Sequence, residues 1–209
     1  MMLKKTLLKK PGLYLVTDND ILNGRDLLNA LSGPLKAGLD MIQFRDKTAS
    51  DISFFETGLK IKKLLKGKAL FIINDRVHMV LALGADGVHL GPTDMPIKTA
   101  RRILGKKKLI GFSVSSLNEA LYAQKQPVDY IAVGSIFKTP VKPDYKLAGL
   151  ETLKQIAKKI RIPLVAIGGI NQTNIEEVRT LGVKRIAVVR AILKAKNPYL
   201  ATKNLLKRT

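Results

Sequence analysis

Eight short apolar segments alternate with segments of helical spacing along this chain, and that alternation constrains the fold more than any other feature. The apolar segments are 13–17, 41–45, 70–74, 87–90, 109–113, 130–133, 163–167 and 185–189. Most are apolar without interruption, as expected of parallel strands buried on both faces. Between them, segment 52–65 repeats Ile52, Phe55, Leu59, Ile61 and Leu64, and segment 150–160 repeats Leu150, Leu153, Ile156, Ala157 and Ile160. That spacing gives a helix one buried stripe. Ser50-Asp51, Ser116-x-x-Glu119 and Asn171/Thr173-x-x-Glu176 are read as helix starts, and 198–207 as a last helix. The pattern predicts a single-domain (β/α)8 TIM barrel spanning 1–209, with 1–11 as a basic N-terminal extension. A doubly wound open sheet is the alternative.

The chain has no cysteine, so disulfides and thiolate metal sites are excluded. The first eleven residues are basic and carry only short apolar pairs, so no signal peptide is expected, and no segment approaches the ~20 apolar residues needed to span a bilayer. A cytoplasmic protein fits these features. The net charge of +21 admits binding to nucleic acid or acidic membranes, or simply a Lys-rich surface. Heat adaptation enriches Lys and Glu together, whereas only five Glu are present. The cations cluster before the strands, as at Lys9-Lys10, Lys36, Lys66, Lys106-Lys107-Lys108 and Lys184. Carboxylates follow the strands, at Asp18, Asp20, Asp46, Asp75 and Asp94. Most of the excess charge is therefore expected on the face opposite the strand ends, where barrel active sites sit. With 5% aromatics and no nucleic-acid motif, a nucleic-acid-binding barrel is a remote alternative.

The strand ends carry the chemistry. Gln43-Phe44-Arg45-Asp46-Lys47 sets an amide, a guanidinium and an ammonium at alternate positions, and alternate residues of an extended chain share a face. That trio reads as a receptor for a doubly charged, phosphate-like anion. Asn74-Asp75 is either an ordinary turn or an amide for substrate beside a carboxylate for a metal ion. Asp94 is either the N-cap of the helix beginning at Met95-Pro96 or a second carboxylate at the barrel mouth. Two carboxylates suit Mg²⁺, which prefers few protein ligands plus waters and phosphate oxygens. His78 and His89, the only two histidines, are read as structural residues rather than ligands or bases, so zinc is not expected. Ser113 adds a hydroxyl, and Lys142 in the long sixth loop adds a further cation. Gly168-Gly169 lets backbone N–H groups approach a phosphate, with Val189-Arg190 ending the eighth strand alongside.

The chain resembles the thiamine phosphate synthases from Tyr14-Leu15-Val16-Thr17-Asp18 to Ile186-Ala187-Val188-Val189. The resemblance implies a transferase of thiamine biosynthesis that joins a pyrimidine diphosphate to a thiazole phosphate and releases pyrophosphate, with Mg²⁺ as cofactor. It assigns Gln43, Arg45, Lys47, Asn74, Ser113 and Lys142 to the pyrimidine diphosphate and Asp75 and Asp94 to Mg²⁺. Thr139, Val141, Gly169, Val189 and Arg190 fall to the thiazole phosphate. Arg45, Lys47, Lys142 and Ser113 are the implied catalytic set. Where the family usually has Thr-x-Thr-Lys, this chain has Thr139-Pro140-Val141-Lys142, and Arg190 stands where a small Ser is usual. A thiazole tautomerase of the same fold is the nearest rival. It uses a His in the sixth loop, where this chain has Ser135. Small-molecule partners are expected, with self-association allowed and neither membrane nor nucleic acid required.

Overall fold

Continuous apolar runs have only one economical resting place, a sheet covered on both sides. The computed structural model describes residues 2–139 and 146–209 and contains that sheet as a closed barrel of eight parallel strands in sequence order. The strands are β1 (Gly12–Val16), β2 (Met41–Phe44), β3 (Leu70–Asn74), β4 (Gly87–Leu90), β5 (Leu109–Val114), β6 (Tyr130–Val133), β7 (Leu164–Ile167) and β8 (Arg185–Val188). Closure comes from β8 pairing with β1, Ile186 opposite Leu13 and Val188 opposite Leu15. The chain is thus a (β/α)8 barrel, as the alternation predicted.

Helices follow the strands. They are α1 (Met2–Lys9), α2 (Asn19–Leu22), α3 (Leu27–Lys36), α4 (Asp51–Leu65), α5 (Val77–Ala82), α6 (Ile97–Leu104), α7 (Leu117–Ala123), α8 (Gly149–Lys159), α9 (Ile175–Arg179), α10 (Arg190–Leu193) and α11 (Pro198–Leu206). Outward-facing strand residues such as Ile42, Phe44, Ile73 and Val88 join the helices' buried stripes in one large cluster. Inward-facing Tyr14, Met41, Leu70, Ile72, Leu109 and Tyr130 form a second cluster inside the barrel.

Several boundaries differ from expectation for identifiable reasons. The 1–11 segment is not a bare extension. Its residues 2–9 form α1, and Leu8 packs into the barrel-interior cluster. Nη2 of Arg185 donates to the Leu7 carbonyl at 2.8 Å, so the helix is tied beneath the barrel. Gly12 opens β1 because a Cβ there would lie 2.7 Å from both the Arg185 guanidinium and the Asp40 carboxylate. Thr17 leaves the strand and accepts from the Arg45 amide at 2.8 Å. Val189 leaves β8 to begin α10.

Among the caps, Ser50 accepts from the Ser53 amide as expected. Ser116 caps α7, but the Glu119 carboxylate takes the Ser115 amide at 2.6 Å rather than that of Ser116. The proposed start at Asn171/Thr173 is displaced to Asn174. The Asn171 side chain is spent on Thr173, closing a local turn, so it is not free to cap α9.

Part of the high positive charge is structural. Arg101 donates to the Gly105, Lys108 and Pro127 carbonyls and pairs with Asp129 at 2.6 Å. Lys62 and Lys108 donate to the Leu83 and Ala85 carbonyls at 2.6 and 2.5 Å. These cations fasten the loops that enter the strands, which accounts for several of them without a ligand.

Candidate active site

A cavity of about 760 Å³ opens at the C-terminal ends of the strands, a volume suited to a small-molecule site. Among its lining residues are Gln43, Arg45, Lys47, Asn74, Asp75, Asp94, Ser113, Thr139, Gly169, Val189 and Arg190. Every site residue expected from sequence is therefore in one place, except Val141 and Lys142, which lie outside the described residues.

The anion-receptor trio is held from below and behind. Gln43 is 4% exposed, and its amide Nε2 donates to the Tyr14 hydroxyl at 2.7 Å. Arg45 has just left the strand, its amide held by Thr17 and its Nη1 paired with Asp18 at 2.7 Å. That pairing uses one nitrogen of a five-donor fork. Asp18 also caps α2 by accepting from the Ile21 amide. Asp46 points elsewhere. It accepts from the Thr48 and Ala49 amides and from Asn19, shaping the loop so that Lys47 returns to the cavity.

The carboxylates form the acidic side of the mouth. Asp75 adopts a left-handed backbone, φ 59, immediately after β3. Burial and the neighbouring Asp94 carboxyl raise its pKa from 3.8 to about 6, partly offset by Lys47 and Asn74. Paired carboxyl groups of this kind suit a shared cation. Asp94 does not cap α6. That helix starts at Ile97 behind Pro96, with no side-chain cap, and Asp94 instead accepts from the Gly91 amide at 2.6 Å. Its loop therefore turns it toward Asp75, the second of the two readings open from sequence. Among the described residues no group of three or more His, Cys, Asp or Glu gathers, so any metal here relies on water and ligand oxygens. That donor set fits Mg²⁺.

On the far side of the barrel, Gly168 and Gly169 adopt φ 105 and 66. A Cβ at Gly168 would collide with Ser135, and one at Gly169 would sit 2.7 Å from the Lys138 carbonyl. The two glycines thus serve the close approach of the sixth loop as well as backbone access to a ligand. The Ile136 and Phe137 amides donate to the Ile167 and Gly168 carbonyls, each at 3.0 Å, locking loop to loop.

Several lining residues were not singled out from sequence. Lys138 and Lys146 add cations either side of the segment containing Lys142. Tyr14 and His89 line the floor. His78 is an exposed partner of Asp51, in line with a structural role, but His89 binds Ser113 Oγ through Nε2 at 2.8 Å within the cavity. A polar residue at an inward position, next to the carboxyl end of its strand, was the signal available.

Comparison with known proteins agrees with this geometry. Residues 13–192 match the family model described as thiamine monophosphate synthase. The chain belongs to that family. The thiamine-phosphate synthase of Methanobrevibacter smithii is 43% identical over 197 residues, covering 94% of this chain and 94% of that one. That of Clostridium acetobutylicum is 45% identical, covering 88% and 87%. Among solved structures, the thiamine phosphate pyrophosphorylase of Pyrococcus furiosus superposes with a TM-score of 0.88 at 40% identity, covering 96% of each chain. As a member of the family, the chain is a transferase of thiamine biosynthesis.

Proposed function

We propose that this barrel is a thiamine phosphate synthase, transferring the hydroxymethylpyrimidine group from its diphosphate to thiazole phosphate and releasing pyrophosphate. The reading is supported by one cavity lined by two sets of groups suited to anions. Arg45 and Lys47 stand beside Asp75 and Asp94 on one side, and Gly169 with Val189-Arg190 stands on the other.

In this reading Asp75 and Asp94 would hold Mg²⁺, which would supply countercharge to the diphosphate. Arg45 and Lys47, with Lys142, bind the same diphosphate oxygens and stabilise the negative charge that grows as the carbon–oxygen bond breaks. Its electron pair leaves with pyrophosphate, and the thiazole nitrogen lone pair forms the new carbon–nitrogen bond at the pyrimidine methylene. Asn74, Gln43 and Ser113 orient the pyrimidine. Thr139, Gly169 and the Val189-Arg190 backbone surround the thiazole phosphate, with Arg190 supplying charge where the family usually has a small Ser. Anchoring both reactants through phosphates remote from the reacting atoms supplies orientation, so no protein nucleophile is required.

No helix among the described residues is long and apolar enough to cross a membrane. The test is direct. Purified protein given both substrates and Mg²⁺ releases pyrophosphate in step with thiamine phosphate. Turnover of a thiazole tautomer alone, with no Mg²⁺ requirement, would replace this reading with the tautomerase one.

A further inference from the structure

Beneath the cavity five side chains from five strands form one unbroken series of hydrogen bonds. Gln43 Nε2 donates to the Tyr14 hydroxyl at 2.7 Å. The Tyr14 and Tyr130 hydroxyl oxygens are 3.1 Å apart. Tyr130 reaches His89 Nδ1 at 3.1 Å, and His89 Nε2 reaches Ser113 Oγ at 2.8 Å. The rings are packed to hold this arrangement. Tyr14 meets Tyr130 edge-on at 6.2 Å, and His89 lies against Tyr130 at 5.6 Å and 29°. Gly111 leaves the room, since any Cβ there would strike the Tyr130 ring.

The direction of each bond follows from counting protons. Tyr14 oxygen accepts from Gln43, so its single proton goes to Tyr130. Tyr130 has then accepted once and passes its own proton to Nδ1 of His89. An acceptor at Nδ1 places the imidazole proton on Nε2, which donates to Ser113. Burial drives the pKa of both phenols far upward, so both remain neutral O–H donors. At the two ends, Ser113 keeps its own proton for the cavity, and Gln43, with its nitrogen engaged by Tyr14, presents Oε1.

We propose that Tyr14, Tyr130 and His89 are positioning residues that polarise this series, fixing Gln43 Oε1 as an acceptor and the Ser113 hydroxyl as a donor on the cavity floor. Both residues line the cavity, and together they suit a heteroaromatic substrate that carries an N–H donor and a ring-nitrogen acceptor. Assigning that substrate rests on the synthase reading above, whereas the polarity of the series is a property of the protein alone. Because every bond depends on the next, removing one hydroxyl releases both ends. A second removal then costs little more.

Two measurements test this. With two histidines in the chain, ¹⁵N-detected NMR of the ligand-free protein resolves His89 directly. The expected result is a single Nε2–H tautomer that becomes a mixture in Tyr130→Phe. A Nδ1–H tautomer in the unsubstituted protein, or a His89 pattern unchanged by Tyr130→Phe, overturns the proposal. In the pyrophosphate-release assay, Tyr14→Phe and Tyr130→Phe each lower kcat/KM about tenfold, the scale of one unsatisfied buried polar group. The double variant falls within about twofold of the worse single one, whereas an additive loss near a hundredfold means independent roles and overturns the coupling. If the unsubstituted protein released no pyrophosphate, the synthase reading would fail while the tautomer result still decided this one.

Discussion

The barrel holds a buried or half-buried arginine at each end, and the two are built on opposite plans. At the strand-start end Arg185 is fully buried, with bonds of 2.7 and 2.9 Å to Asp40 and a further bond to the Leu7 carbonyl. The protein itself supplies its partners, leaving only Nε without one. At the strand-end mouth Arg45 has one protein carboxylate, and the cations Lys47, Lys138 and Lys146 converge with it on open space. A completed charge set contributes rigidity, and an incomplete one contributes affinity. The same barrel keeps the two apart by putting a helix under one end and loops over the other.

Four experiments test that contrast. The largest effect is expected at the closed end. Arg185→Leu strands Asp40 and the α1 carbonyls and should cost about 3–5 kcal/mol in urea unfolding, with the kcat of the folded fraction little changed. A large loss of kcat at unaltered stability would show that the two ends are not separate.

Next comes the open end, where Asp94→Asn should lower pyrophosphate release by roughly 10²–10³-fold, comparable to losing one preorganised transition-state contact. Stability should barely respond.

Proton linkage gives a smaller, graded effect. Because Asp75 titrates near 6 rather than 3.8, the metal-free folded protein retains a proton that the unfolded chain has already lost. Its stability contribution therefore falls as pH rises between those values. Under the proposed assignment Mg²⁺ would displace that proton, so calorimetric Mg²⁺ affinity should weaken about tenfold per pH unit below 6 and level off above it.

The smallest shift is expected from Asp75→Asn without metal. Relieving the carboxylate pair should raise Tm by about 2 °C at pH 8, while activity is lost.

Legibility from sequence followed the same division. The strands could be read because burial on both faces leaves an uninterrupted apolar run, which local composition reveals. Gln43, Arg45, Asp75 and Asp94 could be placed at the mouth because polar residues recur where successive strands end. The closed end was opaque. The role of α1 depends on Arg185, 178 residues after Leu7, and nothing local marks a basic N-terminal run as the floor of a barrel. Asp18 looked like one more loop charge until the closed sheet set it against Arg45, 27 residues away. Tyr14 and Tyr130 sit within apolar runs where an aromatic reads as core. Their hydroxyls gain meaning only once inward positions of β1 and β6 face each other. The displaced cap at Asn171 shows a different limit, since a short polar side chain satisfied by its own turn is no longer available to a helix.

The left-handed backbone of Asp75 decides which experiments on the metal side can be interpreted. At φ 59 the position suits Gly, Asn and Asp, and other side chains incur a conformational penalty of their own. Asparagine is therefore the conformationally silent replacement, and alanine or glutamate scanning there confounds a change of charge with a change of chain path. Any survey of variants that tolerates only Asn at residue 75, and reads that as a demand for an amide, would be measuring a torsion angle.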